Sequence, residues 1–177
     1  MRKTNVSRWS AMMIAFVLIL SSLAAPVRAL RQNSSASLII TGLDPGAKAT
    51  FYKIIGVNLT NGQPADPMYI WTDEVASYVL SEYPAYVNTD SGKKAVADSF
   101  FSMDGGTRAA FLKAVRDNCR IQLDSTDPES ATADEQGTIT ARLPLGYYLI
   151  EVGENYLLMT GSVFPKYENG AWVAVGS

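Results

Sequence analysis

The chain has 177 residues, a formal net charge of −2, one cysteine and no histidine. Its charges are scattered along the sequence, so electrostatics give no reason to expect binding to nucleic acid or anionic lipid. A single cysteine excludes an internal disulfide, and the lack of histidine excludes the common Ser-His and Cys-His catalytic arrangements. We therefore predict no cofactor, no metal site and no enzymatic activity, with a fold held by core packing or by another covalent link.

The first 29 residues have the layout of a secretory signal peptide. Arg2, Lys3 and Arg8 give a positive start, residues 11–20 are all apolar, and Val27-Arg28-Ala29 places small residues at a cleavage site. The apolar run is short for a membrane span, which needs about 20 residues. We predict cleavage after Ala29 and a secreted protein at the cell surface or cell wall, with no membrane contact afterwards. An uncleaved anchor, the alternative, would also place the domain outside the cytoplasm.

The mature chain begins with a polar stretch, residues 30–36, which we predict to be a flexible leader before a single domain at 37–177. Residues 37–41 and 48–55 are rich in β-branched and aromatic side chains, and a Gly-Leu-Asp-Pro-Gly turn separates them, so both are predicted strands. Residues 57–67 contain Asn-Gly and two prolines and are predicted to be a loop.

A helical segment follows. Apolar residues recur every four positions from Trp71 to Tyr83, which predicts an amphipathic helix with Thr72 as its N-cap and Pro84 as its end. Residues 96–103 suggest a weaker second helix.

The third helix has an apolar stripe over residues 110–115, with Thr107 as its expected N-cap and Arg116 and Arg120 near its end. Cys119 continues this stripe, which predicts a buried thiol and not a nucleophile.

Residues 124–136 are acidic and predict an exposed loop, after which a period of two returns. Tight turns are expected at 153–155 and 168–170. The predicted strands are 138–143, 147–152, 156–163 and 171–175.

The order of strands, helices and strands predicts a mainly β protein. We expect an antiparallel β-sandwich with a helical insertion at about 72–120, between the second and third strands. The alternative is an α+β fold with helices on one face of an antiparallel sheet.

Three segments resemble a known family. The opening strands are S-L-I-I-T-G at 37–42 and A-T-F-Y-K-I at 49–54, residues 143–150 read L-P-L-G-Y-Y-L-I, and residues 164–172 read F-P-K-Y-E-N-G-A-W. Together they resemble the N-terminal domain of Gram-positive sortase-assembled pilins, which belong to the Cna B-type, isopeptide-forming immunoglobulin-like domains. The segment at residues 143–150 is similar to that family's "LPxGYYL" strand.

This resemblance implies an immunoglobulin-like sandwich that serves as an exported structural or adhesive subunit, or an accessory domain, of a bacterial surface fibre. Its partners would be other pilin subunits and a sortase, together with a host or cell-surface ligand. Two alternatives remain open: a stand-alone secreted carbohydrate- or protein-binding module, and a carboxylate-pair glycosidase, a chemistry that needs no histidine.

The resemblance also implies an internal Lys–Asn isopeptide bond promoted by a buried carboxyl group. The candidate residues are Lys48 or Lys53, Asn155 or Asn169, and Glu151. Counted from the paired tyrosines, Glu151 aligns with the family's glutamate, whereas counted from the preceding glycine its neighbour does. The alternative is that these are ordinary strand and turn residues.

Polymerisation is the second implied chemistry. Val163-Phe164-Pro165-Lys166 resembles the pilin motif whose lysine accepts the sorting-signal threonine of the next subunit, so Lys166 is the candidate acceptor. Alternatively, Lys166 belongs only to the closing hairpin and the motif lies beyond Ser177. The sequence has no LPXTG-like sorting signal, so a chain ending at Ser177 is not expected to act as a donor.

Overall fold

A computed structural model describes residues 29–90, 94–153 and 157–177. Residues 1–28 of the predicted signal peptide lie outside these described residues, as do residues 154–156, which cover part of a predicted turn and the start of the strand predicted after it. The strands are β1 (Ser35–Ile40), β2 (Lys48–Thr60), β3 (Gln63–Trp71), β4 (Val87–Asn88), β5 (Ala95–Val96), β6 (Glu129–Thr132), β7 (Ile139–Pro144), β8 (Gly146–Val152), β9 (Leu157–Glu168) and β10 (Ala171–Gly176). The helices are α1 (Asp73–Glu82), α2 (Asp98–Phe101) and α3 (Gly105–Asp124), with a 3-10 turn at Pro84–Tyr86.

The strands form two antiparallel sheets, so the mainly β prediction is confirmed. Strands β1 and β7 pair with each other as a two-stranded ribbon. The larger sheet has the order β10-β9-β8-β2-β3-β5-β4, and β6 pairs with β2 beside this path. The prediction placed the helices between the second and third strands, whereas in the structure they lie between β3 and β6, together with the short β4–β5 pair.

The ribbon covers one face of the larger sheet. Leu38 of β1 packs so closely against β9 that an added Cβ at Gly161 would lie 2.6 Å from the Leu38 Cδ2 atom. This first core also includes Ile40, Ala49, Phe51, Ile139, Leu143, Tyr148, Ile150 and Val163. Burying such apolar side chains between two sheets is the main stabilising term of this layer.

The helices cover the opposite face. Trp71 packs edge-to-face against Phe100 with their ring centroids 4.9 Å apart, and Val115 and Cys119 of α3 are buried in the same second core. All seven residues of β8 are buried, because this central strand has the ribbon on one side and the helices on the other. The expectation that Cys119 is a buried thiol is confirmed.

A bulge in β2 lets side chains of this strand enter both cores. The pairing of β2 with β8 shifts between Lys53 and Ile55, so Ala49 and Phe51 contribute to the ribbon side, whereas Ile54 and Ile55 both contribute to the helix side. An extra residue in one strand reverses the alternation of side chains beyond it.

The loop prediction for residues 57–67 is wrong. Strand β2 continues to Thr60, and Asn61 and Gly62 form a tight turn with φ values of 53° and 76°, as hairpin turns of this kind require. The pairing of β2 with β3 is irregular between Val57 and Leu59, and there the Asn58 side-chain amide donates to the carbonyl oxygens of Ala65, at 3.4 Å, and Pro67, at 3.1 Å. A side chain thus supplies donors to β3 where the backbone pairing is interrupted.

The helix boundaries are partly as predicted. Helix α1 begins after Thr72 and ends before Pro84, but the Thr72 hydroxyl donates to the Lys53 carbonyl oxygen instead of capping the helix. The prediction of Thr107 as the cap of α3 is wrong. Asp104 is the N-cap, and its Oδ1 atom accepts hydrogen bonds from the backbone of Gly106 and Thr107. The glycines of the first turn hide this start from an analysis of periodicity.

Two other segments differ from the prediction. Residues 129–132 of the predicted acidic loop form β6 and pair with β2. The predicted flexible leader is anchored: the Leu30 side chain is buried, its backbone N–H donates to the Gly62 carbonyl oxygen at 3.0 Å, and β1 begins at Ser35. Packing against distant strands, which local composition does not report, decides both cases.

Candidate functional site

Glu151, the candidate catalytic carboxyl group, lies on the helix side of β8. Only 6% of its surface is exposed. Its Oε1 atom accepts hydrogen bonds from the Nε atom of Arg116 and, at 3.2 Å, from a terminal nitrogen of Arg120. A buried carboxylate held by two guanidinium groups is an anchor between α3 and the sheet.

Lys53, one candidate for the amine, lies on the opposite face. It is the cross-strand partner of Tyr148, and its ammonium group is 5.9 Å from the centroid of that ring. Burial lowers the pKa of the Lys53 amine. Tyr148 and Glu151 are three residues apart in one strand, so their side chains point to opposite faces. The structure therefore does not bring Lys53 and Glu151 together.

The other candidates for the bond are also dispersed. Lys48 lines the same groove as Glu151 but is exposed. Asn169 has a φ of 51° in the turn between β9 and β10, and Asn155 lies outside the described residues. Among the residues that the structure describes, these candidates do not form a Lys–Asn–Glu group.

The ion pairs of Glu151 extend into a network that the sequence did not predict. Arg116 also pairs with Asp117 at 3.0 Å, and Arg120 pairs with Asp124 at 3.1 Å. Asp124 in turn accepts a hydrogen bond from the Tyr52 hydroxyl group at 2.9 Å. The network thus connects one face of α3 to both β2 and β8.

Burial, together with the hydrogen bond to Asp124, raises the pKa of Tyr52 to about 12, so the phenol stays protonated at neutral pH. An open groove of about 620 Å³ lies beside it. Its lining includes side chains of both charges, namely Asp44, Lys48, Arg120 and Glu151. Within the described part of the chain, Asp, Glu and Cys side chains do not form a cluster of three that could hold a metal ion. We interpret this network as a structural connection between the layers.

Lys166, the candidate acceptor, lies in β9 opposite Val173 of β10. Its side chain is 63% exposed, and its ammonium group pairs with Glu168 at 2.7 Å. The preceding Val163 is fully buried and Pro165 is part of the paired strand. The hairpin therefore presents this amine to solvent from a fixed backbone.

Comparison with known proteins does not add to this picture. No protein-family model matches the sequence, and a search of curated proteins finds no match. None of the helices in the described ranges combines the length and apolar character needed to cross a bilayer.

Proposed function

We propose that this protein is an exported structural or adhesive protein, a pilin-like subunit or accessory domain of a bacterial surface fibre, with an immunoglobulin-like sandwich as its core. The segment that carries the family resemblance supports this proposal, because residues 146–152 form β8, the strand buried on both faces. The ribbon of β1 and β7 packs over this strand, as a sandwich requires.

The observation that carries the proposal is the position of Lys166. A sortase holds its donor as a thioester of the sorting-signal threonine, and an acceptor amine must reach that carbonyl carbon. The Lys166 amine is exposed, pairs with Glu168 and stands on a regularly paired hairpin. Its nitrogen attacks the carbonyl, an amide forms, the C–S bond breaks, and the amine proton passes to the departing thiolate.

The experiment incubates the mature protein with a pilin-class sortase and a peptide that carries a sorting signal. We expect one peptide to be added, at Lys166, as shown by intact mass and peptide mapping, and Lys166→Arg to abolish the addition. Lys113→Arg is the matched control, because that lysine is 72% exposed and also pairs with one carboxylate, that of Asp117 at 2.5 Å. Addition that persists in Lys166→Arg, or a wild-type protein that accepts no peptide, would refute the acceptor role.

An internal isopeptide bond is not part of this proposal, since Lys53 and Glu151 face opposite layers. An intact mass equal to that of the mature sequence, without loss of one ammonia, is the expected result.

A binding module remains the second candidate function. The cleft between the β2–β3 and β9–β10 turns, lined by Tyr167 and Trp172, favours it.

A further inference from the structure

A small cleft opens between two hairpin turns on the ribbon side of the molecule. Its volume is about 220 Å³, and Asn61 and Gln63 line one side while Tyr167 and Trp172 line the other. Pockets for drug-sized ligands are larger, about 300–1,000 Å³, so this cleft suits one ring. Next to it runs a groove of about 650 Å³ that contains Arg31 and Arg142.

Ala29 is shared by the two cavities. It lines both of them, as does Trp172. It also lies directly against the β2–β3 turn, where an added Cβ on Gly62 would be 2.3 Å from the Ala29 Cβ atom. The next residue, Leu30, is buried and its backbone N–H donates to the Gly62 carbonyl oxygen. The chain is therefore fixed on the C-terminal side of Ala29.

The predicted signal-peptide cleavage falls at this point. Cleavage after Ala29 would remove a residue that lines both cavities, whereas Leu30, which is buried and donates to the Gly62 carbonyl oxygen, would remain. The cleft and the groove would then be joined into one surface. The Leu30 nitrogen becomes an α-amine whose usual pKa is about 7.7–8.0, which adds a positive charge to the groove.

The lining of the joined groove has the chemistry of a sugar site. Tyr167 is 61% exposed and its ring lies 5.3 Å from that of its cross-strand partner Trp172, so an aromatic wall is available for the apolar face of a sugar ring. Asn61 and Gln63 carry amides that can donate to and accept from hydroxyl groups.

The charge of this lining is positive. Arg31 and Arg142 line the groove, and among the described lining residues of both cavities there is no Asp or Glu. This contrasts with the net charge of −2 of the chain. Guanidinium groups bind carboxylates through paired hydrogen bonds, which favours an acidic over a neutral saccharide.

We propose that the mature protein binds a carboxylate-bearing oligosaccharide in this joined groove, and that removal of Ala29 opens the site. A sugar ring would occupy the aromatic cleft, and its carboxylate would lie toward Arg31 and Arg142. The inference gives the adhesive role a ligand class. It depends on cleavage after Ala29 but not on the chemistry of Lys166, so either can fail without the other.

The first experiment measures binding of 3′-sialyllactose and of a galacturonate trimer to the mature protein, whose N-terminus is confirmed as Leu30, by calorimetry and ligand-observed NMR. Lactose and a neutral galactose trimer are the matched uncharged ligands. We expect at least one of the two acidic ligands to bind about tenfold more tightly, or better, than its neutral counterpart, because one hydrogen bond to a charged group contributes an effect of that size. Binding of neither acidic ligand, or equal binding of acidic and neutral ligands, would overturn the proposal.

The second experiment locates the site with variants. Arg142→Gln should lower the affinity for the acidic ligand by about tenfold and leave the affinity for the neutral ligand unchanged. Tyr167→Ala should lower the affinity for both ligands. Lys113→Gln is the control, since it removes a positive charge from α3 on the opposite face of the sheet. A protein secreted or expressed with Ala29 as its first residue should lose binding. Full binding by that form, or equal effects of Arg142→Gln and Lys113→Gln, would contradict the proposed site.

Discussion

The Glu151→Gln substitution tests whether the ion network connects the helices to the sheet. Breaking a fully buried ion pair typically costs about 3–5 kcal/mol. Here the side chains of Arg116 and Arg120 are 21% and 38% exposed and each keeps a second carboxylate, from Asp117 and Asp124. The cost should therefore be lower, about 1.5–3 kcal/mol of the free energy of unfolding, as for hydrogen bonds to charged groups.

Urea unfolding, followed by tryptophan fluorescence, measures this free energy. A double-mutant cycle with Arg116→Gln should give a coupling energy of about 1–2 kcal/mol. Lys113→Gln, on the exposed side of α3, should leave the unfolding midpoint unchanged. If Glu151→Gln costs less than about 0.5 kcal/mol, the range of exposed ion pairs, the network does not hold α3 to the sheet.

Two further predictions concern pH and backbone geometry. Because burial and the bond to Asp124 raise the pKa of Tyr52 to about 12, its contribution to stability is full below the unfolded pKa of about 10 and is lost as pH rises toward the folded value. Wild type should lose stability relative to Tyr52→Phe over that window, and parallel pH curves for the two proteins would contradict this. Gly137→Ala should cost at least about 2 kcal/mol, because Gly137 has a φ of 70° and an added Cβ would lie 2.1 Å from the Leu43 carbonyl oxygen. Gly42→Ala, with a φ of 80° but open space around it, should show only the smaller backbone cost in the same urea assay; equal losses would show that the close contact does not matter.

Periodic segments could be predicted from sequence because one of their faces is buried. In β7, Ile139, Ala141 and Leu143 are buried and the residues between them are exposed, as alternation requires. In α3, Phe111, Val115 and Cys119 follow the predicted stripe. In these cases the local pattern and the tertiary environment agree.

The remaining features depend on partners that are distant in sequence. Prolines argued against a strand at β3, which nevertheless pairs with β2, and the Asn58 amide donates to two of its carbonyl oxygens. The bulge between Lys53 and Ile55 decides which face of β2 each side chain occupies, and composition does not reveal a bulge. Nothing local to Glu151 shows that α3 lies over it.

The candidate sites also differ in whether local sequence is enough to predict them. Lys166 could be predicted as an exposed amine because it precedes a turn, which needs only local information. The proposed joined groove could not, since its lining comes from the β2–β3 turn, the β9–β10 hairpin and the segment that begins at Leu30. Sites built from several loops on a rigid scaffold carry no single sequence motif.

The β9–β10 hairpin carries both the Lys166 amine and the Tyr167–Trp172 pair, on opposite faces of the sheet. Lys166 and Tyr167 are neighbours in β9, so their side chains point to opposite faces of the sheet. Trp172 opposite Tyr167 contacts the core on the ribbon side, which places the aromatic wall on that side and the Lys166 amine on the other. A subunit linked through Lys166 would therefore approach the helix side of the sheet and leave the groove beside Leu30 uncovered. Covalent linkage and ligand binding would thus be compatible in a single domain.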